Sequence, residues 1–203
     1  MYPGRLRTRF VSNLRVNRNL LEQVNETSDG QFPFAIVLSC IDSRTSAELI
    51  FDQGLGDIFS ARVAGNVVNE DVLGSMEFAC QVAGSKLIVV LGHSKCGAVK
   101  GACSHVQLGH LTGLLNKIAP AVHTVEHGEG AMAPDQFVER VAVENTRHQM
   151  RTILERSPLL ERLFREGKIG IVGGMYSVES GEVSFFERAF TASEPAAAMA
   201  AAR

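Results

Sequence analysis

The apolar positions of this chain fall into short continuous runs separated by longer stretches of helical period. Phe34-Ala-Ile-Val-Leu-Ser39 has no polar alternation, the pattern of a strand covered on both faces. Ile58–Val63 and Lys86–Leu91 read as two further strands, and Ile169–Val172, extending at most to Val178, as a fourth. Val183–Phe186 reads as an antiparallel edge strand. Between them, residues 69–83 place Val72, Leu73, Met76, Ala79, Cys80 and Ala83 on one stripe, with Phe78 projecting away from it. Thr45 and Glu48 have capping-box spacing, so a helix is expected from Thr45 to about Asp52, ended by Gly54 and Gly56. Further helices are expected from near Lys95, over 111–125 and, after Pro134, over 135–155, with Pro158 breaking the next stretch.

Leu6, Phe10, Val11, Leu14, Leu20, Leu21 and Val24 recur at an interrupted helical spacing, and a turn follows at Ser28-Asp29-Gly30. Residues 1–30 therefore read as an N-terminal helical arm, and the Ala-rich 195–203 as a flexible tail. Strands alternating with helices in this way predict an α/β fold. Its mainly parallel central sheet has about four parallel strands plus an antiparallel edge strand and is flanked by helices. Neither a repeat nor a linker divides the chain, so residues 1–203 are read as a single domain.

Length and composition support that reading: 203 residues with 45% hydrophobic content can bury a core. The 20 Lys+Arg against 22 Asp+Glu show no basic excess, so neither a nucleic acid nor a polybasic membrane contact is expected. No apolar run approaches the ~18 residues of a spanning helix. The start Met1-Tyr2-Pro3-Gly4-Arg5 lacks a signal core, so a cytoplasmic location is expected. In that compartment Cys40, Cys80, Cys96 and Cys103 are metal ligands or buried thiols rather than a disulfide framework.

In an open α/β sheet, chemistry gathers at the carboxyl ends of the strands. Two strands here end in metal-competent residues: Cys40-Ile41-Asp42-Ser43-Arg44 and Gly92-His93-Ser94-Lys95-Cys96-Gly97. If those strands are neighbours, Cys40, His93 and Cys96 converge. Two thiolates and an imidazole suit zinc and leave its fourth position to a water. Cys96 is expected in the first turn of a helix, where the dipole favours a thiolate. Cys80 and Cys103 fall on helix stripes and read as inert core thiols. His105, His110, His123, His127 and His148 read as solvated or satisfied side chains. Gly54 and Gly56 do not complete a dinucleotide fingerprint and no G-K-[ST] occurs, so no nucleotide site is expected.

Together these two segments resemble the signature of the β-class carbonic anhydrases. The resemblance extends from about Gln31 to Tyr176, through Asp52-Gln53-Gly54-Leu55-Gly56-Asp57, Arg62-Val63-Ala64-Gly65-Asn66 and Val72-Leu73-Gly74-Ser75-Met76-Glu77-Phe78. It implies one Zn²⁺ per chain on Cys40, His93 and Cys96, and a catalytic dyad of Asp42 and Arg44. The implied reaction is reversible hydration of CO₂ to bicarbonate and a proton through zinc-bound hydroxide, whose parent water falls in pKa from ~15.7 towards ~7 on zinc. Two thiolates cancel the formal charge of the ion, so that water should be less acidic than one on three neutral histidines.

The family has a closed form, in which the dyad aspartate (here Asp42) is the fourth ligand and bicarbonate occupies a nearby site. Arg62 and Tyr176 match two residues of that site, but its tryptophan falls at Val37 and this chain has no Trp. The open form uses a glutamine and two aromatics, matched by Gln31, Phe59 and Phe78, with Phe78 standing for the usual tyrosine. The open form is therefore expected, in a homodimer or higher even oligomer whose pocket is shared between chains. The rival readings are hydrolysis of carbonyl sulfide or carbon disulfide on the same fold, and a non-catalytic zinc- or bicarbonate-binding protein.

Overall fold

A computed structural model of the chain describes residues 18–128, 130 and 132–186. Most of the expected arm (residues 1–17) and the whole tail (195–203) lie outside the described residues. Five strands form one sheet in the order β2-β1-β3-β4-β5. They are β1 (Ala35–Ser39), β2 (Ile58–Arg62), β3 (Leu87–His93), β4 (Gly170–Tyr176) and β5 (Val183–Phe185). The first four are parallel and β5 is antiparallel to β4, as the sequence predicts. Every residue of β1 is buried, which is why it carries no polar alternation.

The helices are α1 (Leu20–Glu26), α2 (Ala47–Ile50), α3 (Glu70–Glu77), α4 (Gly97–Cys103), α5 (Gly109–Leu115), α6 (Ala119–Gly128), α7 (Pro134–Arg156) and α8 (Pro158–Arg165). The helical stretch expected over 111–125 is divided between α5 and α6. One face of the sheet packs Ile36, Leu38 and Val90 against Met76 of α3, Ile153 of α7 and Leu160 of α8. The other face packs Val37 and Leu91 against Ala47 and Ile50 of α2, with Tyr176. A third cluster closes over the carboxyl tips of β1 and β3, joining Cys40 and Cys96 to Val67, Ile118, Val122 and Val141.

Several local expectations are corrected. Thr45 does not cap a helix. It is buried, and its hydroxyl reaches the carbonyls of Cys40 (3.0 Å) and Asp42 (2.9 Å), tying down the loop after β1. The N-cap position falls to Ser46, whose Oγ donates to Glu48, and α2 is a single turn. Pro158 starts a helix rather than breaking one. It occupies the first turn of α8, where its missing N–H costs nothing, and Ser157 Oγ accepts from Leu160 N. The stripe over 69–83 is helical, but its last turn, Phe78–Val82, widens into a π turn closed by Ala83 N donating to Phe78 O. Ala79 and Cys80 stay buried across it while Phe78 is 51% exposed. The strand expected over 86–91 runs on to His93, and the one expected from 169 runs to Tyr176.

Candidate metal centre

Cys40 is the first residue after β1, His93 the last of β3, and Cys96 the N-cap of α4, one position before the first turn expected for it. β1 and β3 are adjacent and in register at Ser39 and Leu91, so their tips end level. The three side chains are buried, and their ligand atoms all lie within 4.8 Å of one another.

His93 Nδ1 is 2.9 Å from the carbonyl of Ser94, which sets Nδ1 as the protonated nitrogen and turns the Nε2 lone pair inward. Nε2 is buried with no hydrogen-bond partner. An orphaned imidazole nitrogen beside two sulfurs is costly unless it coordinates something. Cys40 is held down to about 4 chiefly by the thiol of Cys96 donating to it, against the opposing effect of burial. The backbone N–H groups of Asp42 and Gly65 add to that pull, with Gly65 N 3.3 Å from Cys40 Sγ. Cys96 is pushed up in turn, because it keeps the shared proton and is desolvated. Backbone N–H groups of Ala98 and Val99, at the start of α4, point back at its sulfur. A soft dication replacing that proton satisfies both sulfurs and the orphaned nitrogen together, so the donor set fits zinc and not magnesium or calcium.

Beside this triangle Arg44 grips Asp42 at both oxygens, Nε to Oδ1 at 2.9 Å and Nη2 to Oδ2 at 2.8 Å, while Arg44 N also donates to Oδ1. The Arg44 guanidinium holds the Asp42 carboxyl well below the usual carboxylate range, outweighing its partial burial. Arg62 donates from Nε to the Cys40 carbonyl (3.0 Å) and from Nη2 to the Asp42 carbonyl (2.6 Å). It therefore braces the loop that carries both residues. Tyr176 is buried on the face of the sheet that carries Val37.

The expected pocket residues lie elsewhere in the chain. Phe59 and Phe78 meet edge to face, centroids 6.1 Å apart, in a cleft of about 670 Å³ along β2. Phe59 is in register with Ile36, four residues short of Cys40 along the strand, or about 13 Å. Gln31 is exposed and precedes β1, at the opposite end of the strand from Cys40. Cys80 and Cys103 are both pushed up to about 11 by burial and remain thiols, as expected. Burial also lowers His148. Residue patterns alone missed Gly65 as a donor to Cys40. The left-handed Gly65-Asn66 turn (φ 69° and 45°) that presents it was legible only as a glycine beside an asparagine.

Fold and site together define a cysteine–histidine group able to hold a metal ion at the carboxyl tips of a parallel sheet. A family model described as carbonic anhydrase matches residues 35–183. The chain is 39% identical to carbonic anhydrase 2 of Mycobacterium tuberculosis over 157 residues, 75% of this chain and 73% of the relative. It is 37% identical to a carbonic anhydrase of Mycolicibacterium smegmatis over 168 residues, 80% and 79% of the two chains. In structure it is similar to a β-carbonic anhydrase of Aspergillus fumigatus, with TM-score 0.78, 27% identity, and 89% and 86% of the two chains covered. The chain belongs to the carbonic anhydrase family, in its β class. Among the described residues no helix is long and apolar enough to cross a membrane.

Proposed function

We propose that the chain catalyses zinc-dependent, reversible hydration of CO₂ to bicarbonate and a proton in the cytoplasm. The observation that carries this reading is the convergence of Cys40, His93 and Cys96 around the partnerless Nε2 of His93, in a chain of this family. Bound by those three residues, zinc would supply a water acidic enough to act as a nucleophile near neutral pH.

The remaining work falls to side chains of this chain. Asp42 accepts a hydrogen bond from the attacking oxygen and so aims its lone pair at the carbon of CO₂. Arg44 holds the carboxylate in that orientation by its two-point grip and keeps it ionised. The same grip keeps Asp42 from becoming a fourth ligand. With Val37 in the place of the family's tryptophan, and Arg62 committed to the Cys40 and Asp42 carbonyls, this supports the open form.

The pocket that receives CO₂ is built from Gln31, Phe59 and Phe78 of a second copy, in a homodimer or higher even oligomer. Their distance from Cys40 of the same chain supports this, as does the apolar surface beside β2 and α1. There Phe32 is 88% exposed and Val82 70%, with Leu20, Leu21, Phe34 and Phe78 also open. The fold is shared with two β-carbonic anhydrases of Sordaria macrospora, described as tetrameric.

Stopped-flow CO₂ hydration combined with metal analysis tests the reading. The expected result is one zinc per chain and turnover on CO₂ above that on carbonyl sulfide or carbon disulfide. Cys40→Ser, His93→Ala and Cys96→Ser should each drop zinc well below one per chain, while Cys80→Ser and Cys103→Ser keep it. Full zinc in Cys40→Ser, or faster turnover on the sulfur compounds, would overturn it.

A further inference from the structure

Asn145 and Gln149 lie one turn apart on α7, and neither is explained by packing. Both are polar and buried, at 0% and 1% exposure. Asn145 Nδ2 donates to the carbonyl of Gly65 at 2.9 Å, and its Oδ1 accepts from Gln149 Nε2 at 3.0 Å. Gln149 Oε1 accepts from Val68 N at 2.9 Å, and its Nε2 also reaches the carbonyl of Lys117 at 3.3 Å. Two side chains on a helix thus clamp the turn that runs from Gly65 to Val68. The N–H of that same Gly65 donates to Cys40 Sγ at 3.3 Å.

Gly65 needs a clamp because glycine has the least intrinsic preference for any one backbone angle. Its φ is 69°, in the left-handed region that strains any side chain, and an added Cβ would lie 2.7 Å from Ile118 Cδ1 and 3.3 Å from Ala98 Cβ. The local restraint on it is one turn bond, from Asn66 N to the Val63 carbonyl at 2.9 Å. The bond from Asn145 to its carbonyl adds a second restraint from the far side of the residue. The same helix also steadies the second ligand loop: Glu139 Oε1 accepts from the N–H of Lys95 at 2.7 Å, where the backbone is left-handed (φ 54°).

We propose that Asn145 is a positioning residue for the metal: through Gly65 it aims the N–H···S hydrogen bond onto Cys40, and so sets how strongly that thiolate donates to the ion. Gln149 supports Asn145 and braces the turn. This rests on the reading that Cys40 is a metal ligand. A hydrogen bond to a ligand sulfur withdraws charge from it, and outer contacts of this kind typically change metal affinity or activity by about 10–100-fold.

The test uses the full chain loaded with Co²⁺, whose sulfur-to-metal charge-transfer band reports the donor energy of the thiolates. Asn145→Asp keeps the side-chain volume but replaces the donor facing the Gly65 carbonyl with an acceptor, and Asn145→Ala removes it. Both should move the band to longer wavelength and change the rate of metal release to a chelator by about 10–100-fold. Gln149→Met breaks the bonds to Val68, to Lys117 and to Asn145 Oδ1, but keeps the donor from Asn145 to the Gly65 carbonyl. It should lower the melting temperature while leaving the band in place.

In the wild-type chain loaded with ¹¹³Cd, the amide proton of Gly65 should show scalar coupling to the metal through Cys40 Sγ. That measurement decides the matter should the Asn145 variants not fold. An absent coupling, an unmoved band in folded Asn145 variants, or an equal shift in Gln149→Met would overturn the proposal while leaving the catalytic reading intact. A wild-type chain that takes up no Co²⁺ would refute both.

Discussion

Whether Gln31 serves its own metal or its partner's can be decided by mixing two crippled chains. Ala35 to Cys40 spans five strand steps, about 16 Å, and Gln31 lies a further four residues before Ala35. A glutamine side chain cannot cross that distance, so it must act on the metal of another chain if it acts on one at all. Consider Cys40→Ser, which removes a ligand, paired with Gln31→Ala, which removes the pocket amide. In their hybrid the Cys40→Ser chain still lends its Gln31 to the intact ligands of its partner. The other site collects both defects.

Two-fold pairing at random makes about half the dimers hybrid, each with one sound site, so about one quarter of the wild-type site count returns. The assay is stopped-flow CO₂ hydration on co-expressed, doubly tagged hybrids, with each homodimer as its control. Gln31→Ala alone should be clearly impaired and Cys40→Ser inactive. Purified hybrids should then reach about half the wild-type rate per dimer, one site of two. Verified hybrids no more active than the Gln31→Ala homodimer would refute the shared pocket.

Other consequences are open to direct measurement. Arg44→Ala should keep its zinc, since no donor of Arg44 reaches a ligand sulfur or nitrogen, yet lose most CO₂ hydration; near-normal turnover would remove the dyad from the mechanism. Arg44 depresses the folded-state pKa of Asp42, so the stability this pair contributes is present above the unfolded value of about 3.9 and lost as pH falls below it. The gap in urea midpoint between wild type and Arg44→Ala should therefore close below about pH 4. Bicarbonate should inhibit without cooperativity, and a crystal structure near pH 7 with Asp42 on the metal and bicarbonate beside Arg62 and Tyr176 would reverse the open-form assignment. Ser157→Ala removes the cap of α8 and the hydroxyl that donates to Glu77 Oε1 at 2.6 Å. It should cost about 1–2 kcal/mol, or about 2–8 °C in melting temperature at this chain length, by calorimetry.

The sheet was readable from the chain alone because strands buried on both faces announce themselves as unbroken apolar runs. Phe34–Ser39 and Lys86–Leu91 are examples, and β1 and β3 fall where those runs lie. The candidate metal ligands were readable for a related reason: Cys40, His93 and Cys96 stand at the ends of such runs, where a parallel sheet concentrates its chemistry. Their convergence was not local information. It required β1 and β3 to be neighbours, which the pairing of Ser39 with Leu91 decides.

Thr45 could not be told from a helix cap, because a hydroxyl's partner depends on which backbone groups the fold brings to it, here the carbonyls of Cys40 and Asp42. Pro158 read as a break because its effect depends on whether a helix begins or continues there, and Ser157 makes it a beginning. Asn145 and Gln149 carried no signal at all. Their partners, Gly65 and Val68, lie 80 and 81 residues away, and a hydrogen bond across such a separation leaves no period or spacing in the sequence. Local propensity and burial pattern thus determine the elements and bring the ligands to strand tips. The packing of α7 over the Gly65 turn, which only the tertiary structure shows, helps decide how the Cys40 sulfur is held.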